Sequence, residues 1–397
     1  MNKFYREIKY WIEIFIETFL LYMTMLLPRN KKMLIFGAWF GDKFDDNSKF
    51  LFQYACNYRA DLKAIWITPN PKVLNEIQKA GLPVCDAHSL KAVFLSLRAK
   101  FCITTTASNG GDLGYHLKKY MGGAVFVNLW HGIPLKKIVF DDEFAQKKIL
   151  SSKSKFVRAM QSLPFRNSYY IATSEEIVKR YLSCFKTDYK HVLNLGQARN
   201  DYFYEPHSNM IRNLYLNKKI VVYMPTHRQE GKVNMEIYKH LNFAYLNKFC
   251  KERGLVFLIK KHYYHRQEKE PLDNLTNILD ITNDDYSSQE ILDAADILIT
   301  DYSSCYIDHL LLDRPQLFFC YDYSDYISSD RGLYEEYSSN VTGPLCYTEE
   351  RLLEELNLII GGNDIYKELR NQKRDFYHSK ENQCPVANKQ LETILSL

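Results

Sequence analysis

The chain has 397 residues, 46% of them hydrophobic, and a formal net charge of +5 at pH 7. That length leaves room for two domains with cores of their own, and the apolar share excludes a disordered chain. So mild a positive balance tolerates an anionic ligand or a membrane surface, while scattered cations without a basic stripe argue against nucleic acid.

The amino-terminal segment, residues 1–28, is rich in aromatic and aliphatic side chains but is interrupted by Arg6, Glu7, Lys9, Glu13 and Glu17. Its uncharged run from Thr18 to Leu27 is shorter than the roughly 20 apolar residues a bilayer requires. No small-residue cleavage site marks a secretory signal. Lys3, Arg6 and Lys9 precede the apolar run, and Arg29, Lys31 and Lys32 follow it. This pattern predicts an amphipathic helix lying in the membrane interface, held by aromatic rings and anionic lipid heads. The alternative is a helix packed on the protein's own core.

Beyond Pro28, short apolar runs alternate with helical periodicity. Strands are expected at Met33–Phe36, Ala64–Thr68, Phe101–Thr104, Ala124–Trp130, Tyr169–Ala172 and His191–Leu195. Helices are expected at Lys72–Ala80, at Ser89–Leu97 and after Ser174, whose first turn carries Glu175 and Glu176. A second series follows Lys218. Its strands are Ile220–Met224, Leu255–Lys260, Ile297–Thr300 and Gln316–Phe319, and its helices Met235–Glu252, Ser287–Ala295 and Cys305–Leu312. Gly254 stops the first of these helices, and Ser287-Ser288-Gln289-Glu290 opens the second as a capping box. Alternating strands and helices imply an α/β chain with two doubly wound parallel sheets, expected as domains 29–205 and 206–397 facing a cleft. The charged, mostly helical stretch from Glu349 packs back on one of them.

Polar residues cluster where strands end, the edge at which ligands collect in such folds. His131 follows an apolar strand, and Gly132 and Pro134 put it at a bend, so it is the first candidate for a general base. Arg199 lies past another strand end and has the forked donors that suit phosphate. Thr226, His227 and Arg228 follow Pro225 directly. Lys260 and Lys261 precede His262, a combination that attracts a diphosphate. His262 and His265 form an HxxH spacing, but a strand rather than a helix precedes them and no carboxylate completes a ligand set, so no metal is expected. Ser303 and Ser304 open a helix that carries Asp308 four residues on, a phosphate and hydroxyl site in outline. Neither GxGxxG nor GxxxxGK[ST] occurs, which counts against nicotinamide and P-loop readings.

The order WHGxPLK at residues 130–136, Gly-x-x-Arg-Asn-Asp at 196–201, PTxR at 225–228, KxH at 260–262 and TDYSSxxxD at 300–308 resembles the CDP-glycerol glycerophosphotransferase family. Phe36-Gly37, Asp46-Asn47, Lys49, Asp313-Arg314-Pro315, Tyr321-Asp322-Tyr323, Arg331-Gly332 and Gly343-Pro344 add to the likeness. The resemblance implies a GT-B fold with the donor held mainly by the carboxyl-terminal domain and the acceptor on the amino-terminal one. It implies transfer of glycerol phosphate from CDP-glycerol to a lipid-linked saccharide or polyol-phosphate acceptor at the cytoplasmic face of the membrane, with CMP leaving and no cofactor. His131 is then the general base and His262 the second active-site histidine. Gly132, Ile133, Pro134, Leu135, Arg199, Thr226, His227, Lys260, Lys261, Ser303, Ser304 and Asp308 contact substrate. Alternatives left open are CDP-ribitol as donor, a GT-B nucleotide-sugar transferase and a membrane-bound scaffold. The chain departs from the family pattern at His227, where tryptophan is common, and at Ala198, Lys261 and Tyr263, where proline is.

Overall fold

A computed structural model of the chain describes residues 3–106, 111–143, 145–147, 168–228, 231–329 and 332–397. The chain divides into two compact units. The first comprises Met1–His131, Ile138–Asp201 and Glu381–Leu397, and the second Gly132–Lys137 and Tyr202–Lys380. A division into consecutive domains, 29–205 and 206–397, therefore differs from the observed one at three segments, 132–137, 202–205 and 381–397.

In the first unit the strands are β1 (Asn30–Phe36), β2 (Lys63–Thr68), β3 (Val84–Asp86), β4 (Ala99–Thr104), β5 (Val125–Asn128), β6 (Tyr169–Ala172) and β7 (Val192–Asn194). They form a seven-stranded sheet in the order β3-β2-β1-β4-β5-β6-β7, and every pairing is parallel. Helices cover both faces, which is why the strands read as continuous apolar runs rather than alternating ones. One face buries Phe36, Phe44, Phe52 and Trp66 together with Ala387, Leu391 and Ile394 from the helix Ala387–Leu395. That apolar stripe explains why the last helix belongs here. Asp201 fastens its start, accepting the N–H groups of Val386 and Ala387 at 2.8 Å each.

The second unit has β8 (Lys219–Met224), β9 (Leu255–Ile259), β10 (Ile278–Asp280), β11 (Ile297–Thr300), β12 (Gln316–Phe319) and β13 (Leu345–Cys346). Its six-stranded sheet runs β10-β9-β8-β11-β12-β13, again parallel throughout. The capping box is present: Ser287 Oγ accepts Glu290 N–H at 3.2 Å and Glu290 Oε2 accepts Ser287 N–H at 2.7 Å. The expected helix 235–252 is shorter, Phe243–Arg253. Asn242 caps it by accepting Tyr245 N–H, and Gly254 ends it at φ 64°. The expected helix 305–312 is Cys305–His309 followed by a 3-10 turn, Leu310–Leu312.

The amino-terminal helix, Lys3–Met25, has two parts. Leu21 and Thr24 are buried, and Thr24 Oγ1 accepts Gly122 N–H at 3.1 Å. Trp11, Ile12, Phe15, Ile16 and Phe19 are exposed. Among the described residues no helix is long and apolar enough to cross a membrane. All nine cysteines are free thiols.

Asp201→Ala strands two buried N–H groups at the start of the last helix. We expect it to lower unfolding free energy by about 1–3 kcal/mol, read as a shift in denaturant midpoint, and Asp201→Asn, which keeps one acceptor, to lower it less.

Candidate active site

Each sheet reverses its strand order once, at β1 beside β4 in the first unit and β8 beside β11 in the second. Loops leaving the carboxyl ends of such neighbours diverge and open a crevice.

In the first unit β1 runs into Gly37-Ala38-Trp39 and β4 into Thr105-Thr106. A Cβ on Gly37 would lie 2.7 Å from the Asp112 carbonyl oxygen, so only glycine allows that approach. The buried Asp112 carboxylate ties both loops together, accepting Phe40 N–H on one oxygen (2.9 Å) and Thr105 and Thr106 N–H on the other (2.9 and 2.8 Å). His131 arrives from β5, which ends at Asn128 rather than at Trp130 as the apolar run suggested. The Asn128 side chain accepts Trp130 N–H at 2.8 Å and turns the chain, leaving Trp130 at φ 56°.

The imidazole is held by one hydrogen bond and two neighbouring rings. Its Nδ1 is 3.1 Å from the Thr105 carbonyl oxygen. A carbonyl only accepts, so Nδ1 carries the hydrogen and Nε2 is the basic nitrogen. Trp39 and Trp130 rings lie 5.2 and 4.5 Å from it. Arg199 Nη1 donates to the His131 carbonyl at 3.2 Å and to Asp46 Oδ1 at 2.8 Å. Asn47 Nδ2 donates to the Trp130 carbonyl at 2.9 Å, and Asn47 Oδ1 accepts Arg199 N–H at 3.2 Å. Burial lowers the pKa of His131, with Asp46 and the Thr105 hydrogen bond pulling the other way. The ring is therefore neutral at pH 7, as a base must be. Arg199, expected on phosphate, is nine-tenths buried and spends donors on Asp46 and the His131 backbone.

In the second unit Thr226 and His227 follow β8, His262 follows β9, and Ser303 and Ser304 follow β11. Thr226 N–H donates to Asp301 Oδ1 at 2.7 Å, which links the first and last of these loops. The His227 and His262 rings are 4.8 Å apart, and Tyr264 lies against both. His262 Nδ1 accepts Tyr264 N–H at 3.4 Å, so in the neutral ring the hydrogen is on Nε2, the reverse of His131. Lys260 Nζ lies against the carbonyls of Ile281, Thr282 and Asp284 at 3.0–3.3 Å. Lys261 Nζ is buried between Glu270 and Asp280, both at 3.1 Å. Both ammonium groups are thus engaged by protein oxygens. His265 is also taken, hydrogen-bonded to Glu268 and accepting Arg228 N–H. Ser303 Oγ accepts Cys305 N–H at 3.4 Å, and Asp308 is buried with Gln289.

Gly132–Lys137 belongs to this unit. Gly132 has φ 148°, a conformation that side chains rarely adopt. Ile133 and Leu135 are buried. Lys137 N–H donates to the Gly332 carbonyl and Tyr334 N–H to the Leu135 carbonyl, while Lys136 Nζ bonds the Tyr326 hydroxyl. Arg331, part of the family likeness, lies outside the described residues.

The organising group here is Arg228, which the sequence offered as one member of the polar cluster behind a strand end but not as the group that joins the loops. It is 8% exposed and donates to Asp301 Oδ2 (2.9 Å) and to both oxygens of Asp322 (2.6 and 3.1 Å). Burial works against its charge, but Asp301 and Asp322 more than offset that and raise its pKa. Tyr302, Tyr321 and Tyr326 rings surround the guanidinium at 5.3–5.5 Å. The signal available in the sequence was an arginine directly behind a strand end, together with two aspartates at equivalent ends, 301 and 322.

Two doubly wound parallel units, each with a polar crevice at its switch point, define the GT-B class of fold. The solved wall teichoic acid polymerase TagF has the same fold: 21% identity, TM-score 0.72, covering 93% of this chain and 90% of that one. The chain belongs to the CDP-glycerol:poly(glycerophosphate) glycerophosphotransferase family, whose model matches residues 19–394. It is 27% identical over 334 residues to a teichoic acid poly(glycerol phosphate) polymerase of Staphylococcus epidermidis, covering 80% of this chain but 44% of that protein. To a Bacillus spizizenii protein of the same description it is 28% identical over 351 residues, covering 84% of each. The chain thus spans less than half the length of the first of these relatives.

Arg228→Ala leaves the buried Asp301 and the partly exposed Asp322 without their cation. We expect a loss of about 3–5 kcal/mol in stability, measured by denaturant unfolding, with Arg228→Lys recovering only part because it lacks the fork.

Proposed function

We propose that the protein transfers glycerol phosphate from CDP-glycerol to a hydroxyl of a membrane-linked acceptor in teichoic acid or related polymer synthesis, releasing CMP. The observation that carries this reading is the state of His131: neutral, with Nδ1–H committed to Thr105 and Nε2 left as the base. The acceptor oxygen forms a bond to the β-phosphorus of the donor, and its proton passes to His131 Nε2. The bond from that phosphorus to the bridging oxygen breaks, and CMP leaves with the electron pair. His262, with hydrogen on Nε2, supports charge on the diphosphate, and with His227, Thr226, Ser303, Ser304 and Asp308 it forms the donor side. Such transfer is catalysed by positioning and by donors aimed at developing charge. Arg199, Lys260 and Lys261 act by holding the site's loops. The acceptor binds on the first unit.

CMP release from CDP-glycerol in the presence of a lipid-linked acceptor tests the reading. Turnover with CDP-ribitol or nucleotide sugars alone would reassign the donor, and none with any would favour a scaffold. His131→Ala should cut the rate about 10²–10⁴-fold and leave circular dichroism unchanged. In the wild type, kcat/KM should be flat near neutrality and fall only as pH drops below the ordinary histidine value near 6.5, because burial lowers the pKa of the base.

We further propose peripheral attachment at the cytoplasmic membrane face. The exposed Trp11, Phe15 and Phe19 of the first helix support it, since an apolar stripe in water favours an interface. Replacing these three by glutamate should abolish sedimentation with vesicles containing anionic lipid. Retained binding would place the anchor elsewhere.

A further inference from the structure

Two exposed rings of the first unit, one of them next in sequence to a residue that touches His131, are not used by the mechanism above. Phe40 and Tyr115 stack with centroids 6.3 Å apart and planes 20° from parallel, yet they are 46% and 63% exposed. Phe40 directly follows Trp39, whose ring lies 5.2 Å from the His131 imidazole. Both Trp39 and Phe40 are left-handed, at φ 50° and 56°, a strained conformation for bulky side chains. The strain is held in place by Asp112, through Phe40 N–H. On the other side, Tyr115 is presented by a 3-10 segment (Tyr115–Tyr120), with Leu113, Leu117 and Met121 buried around it. A chain that strains its backbone to display paired rings to water, one residue from the group that contacts the candidate base, is built to meet something with an apolar face.

We propose that the Phe40–Tyr115 pair is an acceptor subsite for a pyranose, the terminal sugar of a lipid-linked saccharide. A pyranose presents a flat face of C–H bonds that packs on the electron-rich face of an aromatic ring. A glycerol phosphate chain end has no such face and is anionic. The Asp112 carboxylate beneath the platform would repel it, and the adjacent cation, Lys43, lies over Trp39 at 4.7 Å. The subsite rests on the transferase reading for its acceptor but not for its geometry.

Saturation-transfer NMR on the full chain tests it, with the methyl glycoside of N-acetylglucosamine as probe and glycerol 3-phosphate as control. Saturation should reach the sugar ring protons in the wild type. Phe40→Gly and Tyr115→Ala should each weaken sugar binding roughly tenfold and leave glycerol 3-phosphate unaffected. Phe40→Gly removes the ring at a backbone angle that glycine accepts freely, so its melting temperature should not fall. No transfer to the sugar in the wild type, or equal response in wild type and both variants, overturns the proposal. So does equal weakening of both probes. In turnover, the same variants should raise KM for a saccharide-ended acceptor and leave KM for CDP-glycerol unchanged. Sugar binding that depends on both rings, in a protein that turns over no CDP-glycerol, would defeat the transferase reading and leave the subsite standing.

Discussion

The carbonyl oxygen of Thr105 decides what His131 can be. It cannot donate, so it assigns the tautomer and leaves the lone pair on Nε2. The rest of that crevice keeps this contact in place. Asp112 holds Thr105, and Arg199 and Asn47 hold the backbone on either side of the imidazole. The Arg199–Asp46 pair is nearly buried. Such pairs add little net stability, so its value lies in fixing geometry where left-handed residues would otherwise relax.

The second unit solves a like problem with opposite charge. Arg228 gathers Asp301 and Asp322, and Asp301 in turn takes the N–H groups of Thr226 and Tyr302. Loops after β8, β11 and β12 are thereby joined around one guanidinium. Lys260 and Lys261, cations that resemble diphosphate ligands in the sequence, bond oxygens of their own unit, Lys260 the carbonyls of Ile281, Thr282 and Asp284 and Lys261 the carboxylates of Glu270 and Asp280.

Much of the architecture was legible because buried parallel strands announce themselves as unbroken apolar runs, as in Tyr169–Ala172, Ile297–Thr300 and Gln316–Phe319. The capping box at Ser287 and the stop at Gly254 were legible for the same reason, since each depends on residues close in sequence. The short strands β3, β10 and β13 carry too few positions for a period to show, whereas the equally short β7 lies within the expected run His191–Leu195. Partnerships across long separations were invisible. Arg199 reads as a phosphate ligand until Asp46, 153 positions away, is seen against it. Nothing near Asp112 in the sequence points to its donors Phe40, Thr105 and Thr106, and nothing near Asp322 points to Arg228. His131 was found because its surroundings break a strand, whereas the residues that tune it break nothing.

The return of the helix Ala387–Leu395 to the first unit has a consequence for how the molecule is made. During synthesis the ribosome delivers all of β8 to β13 before it releases Leu391 and Ile394, which the earlier core needs to close over Phe52 and Trp66. The unit that begins first is therefore completed last, and until then its unfinished face is open to chaperones or to premature association.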